Sequence, residues 1–391
     1  MPATLNNTST TPTATRIPTV DIVRGFALFG ILVVNLTTFR SPNPVWHGLD
    51  SVVDWLILVL FQSKFLSLYS FLFGLSFALF MRKSTDRSTL WRFAWRTAIL
   101  LVIGALHYVL LWDGDILMEY AIAAFLLLPF ARRKAQTALS WGVGLYAFYA
   151  LFLLVVVVVS AARPQPQATA SDAVDLSVMP TALAQTGSYL QLLQWRAGSV
   201  GNFLGEHIAA SIFLVGIFLI GVYAGREGII ADPFAHTTLL KRMIVWGLPI
   251  GLLCNVVYAL AGPVQKNLPV VERAVVIVVI ALAPIILALA YAAGAAWLAA
   301  KARWMSPLAA AGRMSLTNYL VQSAVMTTLF YTYGFKLFDQ VGPTAGLLLA
   351  IGIFTAQVIL SNLWFRRFSY GPAEWVWRCL TYGKWIKITT S

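Results

Sequence analysis

The chain has little charge. Only 11% of its 391 residues are Asp, Glu, Lys or Arg, whereas 59% are hydrophobic, and the mean hydropathy is +0.77. Soluble domains carry about 25% charged residues, and a soluble fold of this size cannot bury so much apolar surface. Lipid must therefore be the solvent for most of the chain.

Cysteine and the common catalytic motifs are also scarce. The two cysteines are Cys254, inside an apolar run, and Cys379, in a basic tail, so a disulfide framework is excluded. The sequence contains no Walker A motif, no G-x-S-x-G elbow, no H-E-x-x-H and no C-x-x-C pair. These absences disfavour an ATPase, an ordinary serine hydrolase and a zinc protease, and we expect no metal.

Basic residues outnumber acidic ones, with 28 Lys and Arg against 15 Asp and Glu and a formal net charge of +13. They gather in short segments between apolar runs, at residues 82–96, 132–134, 241–242, 301–303 and 366–387. Such loops face the cytoplasm in membrane proteins. The positive charge therefore indicates membrane topology, and we expect no nucleic-acid partner.

Ten apolar runs approach the length of about 20 residues that a membrane-spanning helix needs. They cover residues 19–39, 63–81, 96–113, 116–131, 138–161, 207–226, 242–262, 273–300, 314–333 and 342–364. With ten spans, every basic segment falls on one side of the membrane. We therefore predict an all-α fold, a polytopic bundle of about ten transmembrane helices in the bacterial inner (cytoplasmic) membrane, with both termini in the cytoplasm.

Composition divides the chain into three parts. Residues 1–18, rich in Thr, Pro and Ala, predict a disordered cytoplasmic leader, and residues 19–364 predict the bundle. Within the bundle, residues 162–206 predict an extracytoplasmic loop followed by an amphipathic helix, and residues 51–62 are too short to span alone. Residues 365–391, which mix Trp with Arg and Lys, predict a cytoplasmic interfacial tail.

A histidine and an aspartate stand near the predicted outer end of the third span. His107 lies in the apolar run LVIGALHYVLLWDGDIL, and Asp115 follows the tight turn. A neutral imidazole can act as a general base toward a hydroxyl, and a carboxylate can fix its tautomer. Alternatively, His107 packs against a backbone carbonyl, and Asp115 is the N-cap of the next helix.

Two further residues are candidates for the same chemistry. Asn35 ends the first span, and His47 follows it after a Pro-rich turn. Polar groups within spans usually face a bundle interior or a watery cavity. A loop histidine is otherwise an ordinary surface residue.

A second group of polar residues lies toward the predicted cytoplasmic side. Asp21 and Arg24 are three residues apart, so they form an ion pair on one helix face, or Arg24 binds an anionic group such as a phosphate. Arg313 and Asn318 belong to the segment GRMSLTNYLVQS, which is too polar to face lipid. Its polar residues therefore pack against protein or line a cavity.

Five stretches carry a resemblance to a known family. They are VDIVRGFALFGILVVN (20–35), SFLFGLSFAL (70–79), GALHYVLLWDGDILMEYA (104–121), GRMSLTNYLVQS (312–323) and GPAEWVWRCLTYG (371–383). Through them nearly the whole chain resembles the YeiB-like family, also called domain of unknown function 418. The family name itself implies no substrate.

The first span also looks like that of the wider transmembrane acyltransferase superfamily, whose members move acyl groups from acyl-CoA inside to sugars outside. In its glycan O-acetylating branch a histidine stands eleven residues after the Arg of the RG pair, a position held here by Asn35. In the branch of the lysosomal heparan-sulfate acetyltransferase the motif ends in Asn and an active histidine follows. His47 stands one residue beyond that spacing, whereas His107 belongs to the YeiB-like pattern.

The leading hypothesis is an acyl-CoA-dependent membrane acyltransferase, with acetyl-CoA among the candidate donors. The donor enters from the cytoplasm and binds Arg24 and neighbouring basic residues, while a hydroxyl of a glycan, glycolipid or secreted small molecule approaches from outside. His107 is the base, Asp115 orients it and Asn35 binds the developing oxyanion, with His47 as the alternative base. Two other hypotheses are a transporter or flippase for a lipid-linked or amphipathic small molecule, and a non-catalytic scaffold. Expected partners are membrane lipids and a second copy of the chain in a homodimer.

Overall fold

The structure is a computed structural model that describes residues 17–40, 45–82, 84–162, 179–261 and 268–389. Its regular elements are α-helices, with two additional single turns of 3₁₀-helix at Leu128–Phe130 and Arg303–Met305. The helices are α1 Pro18–Leu36, α2 Gly48–Leu60, α3 Lys64–Met81, α4 Arg87–Leu110, α5 Leu117–Phe125, α6 Ala135–Ala162, α7 Thr181–Thr186, α8 Tyr189–Glu227, α9 Thr237–Ala261, α10 Val270–Lys301, α11 Pro307–Arg313, α12 Ser315–Phe330, α13 Pro343–Trp364 and α14 Pro372–Tyr382. The leader predicted at residues 1–18 lies almost wholly outside the described residues, as do residues 163–178 of the predicted loop.

Local sequence sets several helix ends. Asp86 begins α4 by accepting the backbone N–H of Thr89 at 3.0 Å, and Ser188 begins α8 with Gln191 in a capping box. Gly228 and Gly383 adopt positive φ angles of 74° and 63° directly after α8 and α14. Glycine adopts this conformation without the penalty that a Cβ brings, so both helices stop there.

Seven helices in the described part of the chain are long and apolar enough to cross a membrane. One of these candidates joins α2 to α3, with a break at residues 61–63 where Ser63 has a positive φ of 65°. The buried ammonium of Lys64 donates to the carbonyl of Leu58 at 2.6 Å and so caps the end of α2. The predicted all-helical, multi-pass architecture is confirmed.

The other three predicted spans fall on α5, α8 and α12. The nine residues of α5 and the 16 of α12 are too few to cross a bilayer alone. By contrast, α8 has 39 residues, because the predicted amphipathic segment and the sixth span form one continuous helix. Hydropathy detects apolar runs, but it does not show at which residues a helix begins and ends.

Glycines bring the central helices into contact. A Cβ on Gly25 would meet the backbone of Leu308, and one on Gly312 would meet the carbonyl of Asp21, so α1 crosses α11 at backbone distance. Such crossings are typical of small residues in membrane bundles. The crossing fixes Arg313, the last residue of α11, beside the start of α1.

The short amphipathic helix α14 lies against the ends of α4 and α12. The indole of Trp377 donates to the carbonyl of Arg96 at 2.8 Å, while the guanidinium of Arg96 sits 3.8 Å from the centre of the Trp377 ring. Arginines from α1, α4, α11 and α14 meet here, and we call this end of the bundle the basic end.

Candidate active site

His107 and Asp115 form a buried pair. The Nδ1 atom of His107 lies 2.7 Å from Oδ1 of Asp115, and each residue is only 2% exposed. A carboxylate is an acceptor, so Nδ1 carries the proton and donates it. In the neutral ring this hydrogen bond leaves the lone pair on Nε2, which is the form that a general base requires.

The turn between α4 and α5 brings the two residues together. His107 is in the last turn of α4, and the other oxygen of Asp115 accepts the backbone N–H of Met118 at 2.7 Å in the first turn of α5. Asp115 therefore accepts a backbone N–H at the start of α5, as predicted, and also contacts His107, whereas its part in catalysis stays a prediction. Residues 111–116, between α4 and α5, are non-helical. At membrane depth such backbone is tolerated only where protein or a water-filled cavity surrounds it.

The free nitrogen of His107 is buried in an aromatic environment. Its Nε2 atom has no hydrogen-bond partner within the described part of the chain. The ring centre lies 5.1 Å from that of Tyr319 and 6.5 Å from that of Trp112. A buried basic nitrogen without a partner is an energetic cost, which a substrate hydroxyl would relieve.

A second charged pair lies next to this turn. The Nε atom of the fully buried Arg196, on α8, is 3.7 Å from Oδ1 of Asp113. The hydroxyl of Tyr331 donates to the same oxygen at 3.4 Å, and its ring lies 5.3 Å from the Arg196 guanidinium.

Asn35 and His47 differ in their settings. Asn35 is buried, and its Nδ2 has no hydrogen-bond partner among the described residues. It is one turn before Phe39, whose ring stacks 5.7 Å from that of Trp112, the neighbour of His107. His47 is exposed directly before α2, and in the described residues no hydrogen bond or ion pair links it to His107 or Asp115. Among the described residues no hydrogen bond links Asn35 to the pair either, so the structure shows neither Asn35 nor His47 in contact with His107 or Asp115.

A cavity of about 270 Å³ leads from the basic end toward this pair. Arg24, Arg96 and Arg313 line its entrance, and mainly apolar side chains from α1, α3 and α4 line its length. Its inner end is formed by residues that include Ile116 and Tyr319. Ile116 follows Asp115 in the sequence and Tyr319 packs on His107, so the cavity ends beside the buried pair.

A wider cleft of about 640 Å³ shares this entrance and adds Asp21, Arg82 and Arg378. Arg24 donates to Asp21 at 2.8 Å and to Ser76 at 2.9 Å, so the predicted ion pair forms and still borders the cleft. Several arginines around a cleft can bind phosphate oxygens through charge-assisted hydrogen bonds. Arg24, Arg96 and Arg313 are thus the residues placed to hold an anionic cofactor.

Asn318 belongs to the packing between helices. Its Nδ2 donates to the carbonyl of Ala311 at 3.2 Å and to the hydroxyl of Ser361 at 3.1 Å, and it lines neither the cavity nor the cleft. The structure therefore gives it a place in holding α11, α12 and α13 together. Among the described residues, no group of three His, Cys, Asp or Glu side chains is arranged to hold a metal ion.

Sequence reasoning missed three residues of this region, Arg196, Tyr319 and Glu374, and included Arg96 only as part of the basic segment 82–96. The carboxylate of Glu374 accepts the backbone N–H groups of Leu316 and Thr317 at 2.7 and 3.1 Å, which ties α14 to α12, and burial raises its pKa. In each case the partner is far away in the sequence.

The fold and the site define a multi-pass helical membrane protein with a buried His–Asp pair. Comparison with known proteins identifies the family: the one described as "Protein of unknown function (DUF418)" matches residues 224–384. YxaH of Bacillus subtilis is 32% identical over 402 residues, covering 96% of this chain and 97% of YxaH. YeiB of Escherichia coli is 30% identical over 382 residues, covering 93% and 95%. The chain belongs to this DUF418, or YeiB-like, family.

Proposed function

We propose that the protein is a membrane acyltransferase that moves an acyl group from acyl-CoA to a hydroxyl acceptor. The observation that carries the proposal is the buried His107–Asp115 pair at the inner end of a cavity whose entrance is lined by arginines. The phosphates of the donor bind at the entrance, and its narrow pantetheine arm occupies the apolar cavity. The acceptor is a glycan, glycolipid or small molecule that arrives from the opposite end.

The reaction follows from the orientation of His107. Its Nε2 removes the proton of the acceptor hydroxyl while that oxygen attacks the thioester carbonyl carbon. The new C–O bond forms, the C–S bond breaks, and the coenzyme leaves as a thiol after receiving the proton. Asp115 stabilises the imidazolium that forms between these steps, and the unpartnered Nδ2 of Asn35 donates to the carbonyl oxygen as it gains negative charge.

The same proposal includes the membrane topology. The basic end faces the cytoplasm of a bacterium, where acyl-CoA is present, and the chain crosses the inner membrane about ten times with both termini inside. We place the three crossings beyond the seven long apolar helices at α8, at α5 with the turns that flank it, and at α12 with α11 before it. A short α5 suits this role because its start is held inside the bundle by Asp115.

The first experiment measures both binding and transfer. Acetyl-CoA is expected to raise the melting temperature of the wild-type protein in detergent, since a ligand of the native state stabilises it, with ATP and ADP as controls. His107→Gln should keep this stabilisation, because His107 does not line the cavity, but transfer to an acceptor should fall by roughly a hundredfold or more. His236→Gln, on the partly exposed His236 of the segment before α9, is the matched control and should transfer normally.

Two outcomes would contradict the proposal. Full transfer activity in His107→Gln would remove His107 from the mechanism and leave His47→Gln as the next variant to test. A wild-type protein that melts cooperatively but responds to no acyl-CoA would favour a transporter. The break between α2 and α3, with Lys64 buried beside it, is the feature that suits that second function.

A further inference from the structure

Tyr319 stands at the inner end of the donor cavity, next to His107. It is only 3% exposed, it lines the inner end of the cavity, and its ring centre lies 5.1 Å from that of His107. Its hydroxyl accepts the N–H of Ile116 at 3.3 Å and donates to the carbonyl of Gly114 at 3.4 Å. These two bonds attach the ring to the same turn that carries Asp115.

The adjoining wall is fixed in the same way. Tyr120 also lines the cavity, and its hydroxyl donates to the carbonyl of Leu66 at 3.0 Å while lying 2.8 Å from the hydroxyl of Ser70. Buried hydroxyls are costly to separate from their partners. The inner end of the cavity is therefore a rigid wall with two hydrogen-bonded phenols.

The volume in front of this wall is small. The cavity holds about 270 Å³, whereas pockets for drug-sized ligands start near about 300 Å³. A pantetheine arm that carries a thioester would by itself fill most of a cavity of this volume. Once the thioester reaches the inner end, only a small acyl group has room beyond it.

From this geometry we infer that Tyr319 restricts the donor to short-chain acyl-CoA, of the acetyl or propionyl class. The inference rests on the proposed function. The thioester carbonyl lies beside the Tyr319 ring, which packs on His107, and the acyl chain ends at the wall. A long fatty acyl chain would have to displace the ring and break both of its hydrogen bonds to the turn.

The test compares chain-length profiles of binding. Dissociation constants for acetyl-, butyryl-, octanoyl- and palmitoyl-CoA are measured on the purified protein, with CoA itself as the baseline. The wild-type protein should prefer acetyl-CoA over octanoyl-CoA by about tenfold or more. Tyr319→Ala should lose that preference, because its shortened side chain extends the cavity toward His107.

Two variants control for other effects of the substitution. Tyr319→Phe retains the wall and should keep the short-chain preference. Phe80→Ala enlarges the cavity on α3 away from its inner end and should also keep it. If Tyr319→Ala does not fold, Ile116→Ala opens the same wall with a smaller change and should shift the profile in the same direction.

The outcomes separate this inference from the proposed function. Wild-type protein that binds octanoyl-CoA as tightly as acetyl-CoA would overturn the role of Tyr319 while supporting an acyl-CoA donor. Equal profiles for Tyr319→Ala and Tyr319→Phe would overturn it as well. Absence of binding by every acyl-CoA would overturn both proposals together.

Discussion

At the scale of single residues, Asp115 performs two tasks with two oxygens. One oxygen accepts from Nδ1 of His107 and the other caps α5 through the N–H of Met118, both at 2.7 Å. An N-cap aspartate contributes about 1 kcal/mol to stability, and a carboxylate that fixes an imidazole tautomer contributes to reactivity. The two contributions should respond differently to substitution.

Asp115→Asn separates them. The asparagine oxygen can still accept from Met118, but its amide now donates to Nδ1 of His107 and drives the proton to Nε2. We expect transfer to fall by roughly a hundredfold or more, with little change in melting temperature. Asp115→Ala should lose transfer and about 1 kcal/mol of stability. Normal transfer in Asp115→Asn would leave Asp115 with the capping role alone.

At the scale of elements, the crossing of α1 and α11 positions the cavity entrance. Gly25 and Gly312 allow the two backbones to touch, and Arg24 and Arg313 stand next to these glycines. The cationic entrance therefore depends on a contact between two backbones in which no charged side chain takes part. A methyl group inserted there has only backbone atoms to displace.

Gly25→Ala should therefore destabilise the protein by about 1–3 kcal/mol, the cost of overpacking. It should also weaken acyl-CoA binding, because α11 moves away from α1 and carries Arg313 with it. Thermal unfolding in detergent and acyl-CoA titration measure the two effects. Gly352→Ala is the control, since a Cβ on Gly352 in α13 meets open space. Equal melting temperatures for Gly25→Ala and Gly352→Ala would show that the crossing of α1 and α11 tolerates a methyl group. The crossing would then not be the contact that positions the entrance.

At the scale of the whole molecule, the sequence predicts the class of fold better than it predicts where individual helices begin, end and break. Hydropathy identifies the apolar runs, and the i, i+3 spacing of Asp21 and Arg24 predicts their ion pair. The pairing of His107 with Asp115 was also predictable, because only eight positions separate them. The partners of Asn318, Tyr319 and Arg196 were not, since they come from helices distant in sequence and depend on packing.

The distribution of basic residues also predicts which end of the bundle faces the cytoplasm, and single cysteines can test this orientation. In a background with Cys254→Ala and Cys379→Ala, Leu190→Cys and Lys384→Cys place thiols at two exposed positions, one at the start of α8 and one after α14. If the basic end is cytoplasmic, a membrane-impermeant maleimide should label Leu190→Cys in intact cells. It should label Lys384→Cys only after permeabilisation. The reverse pattern would place the arginine-lined entrance outside the cell, away from any acyl-CoA, and the proposed direction of transfer would be wrong.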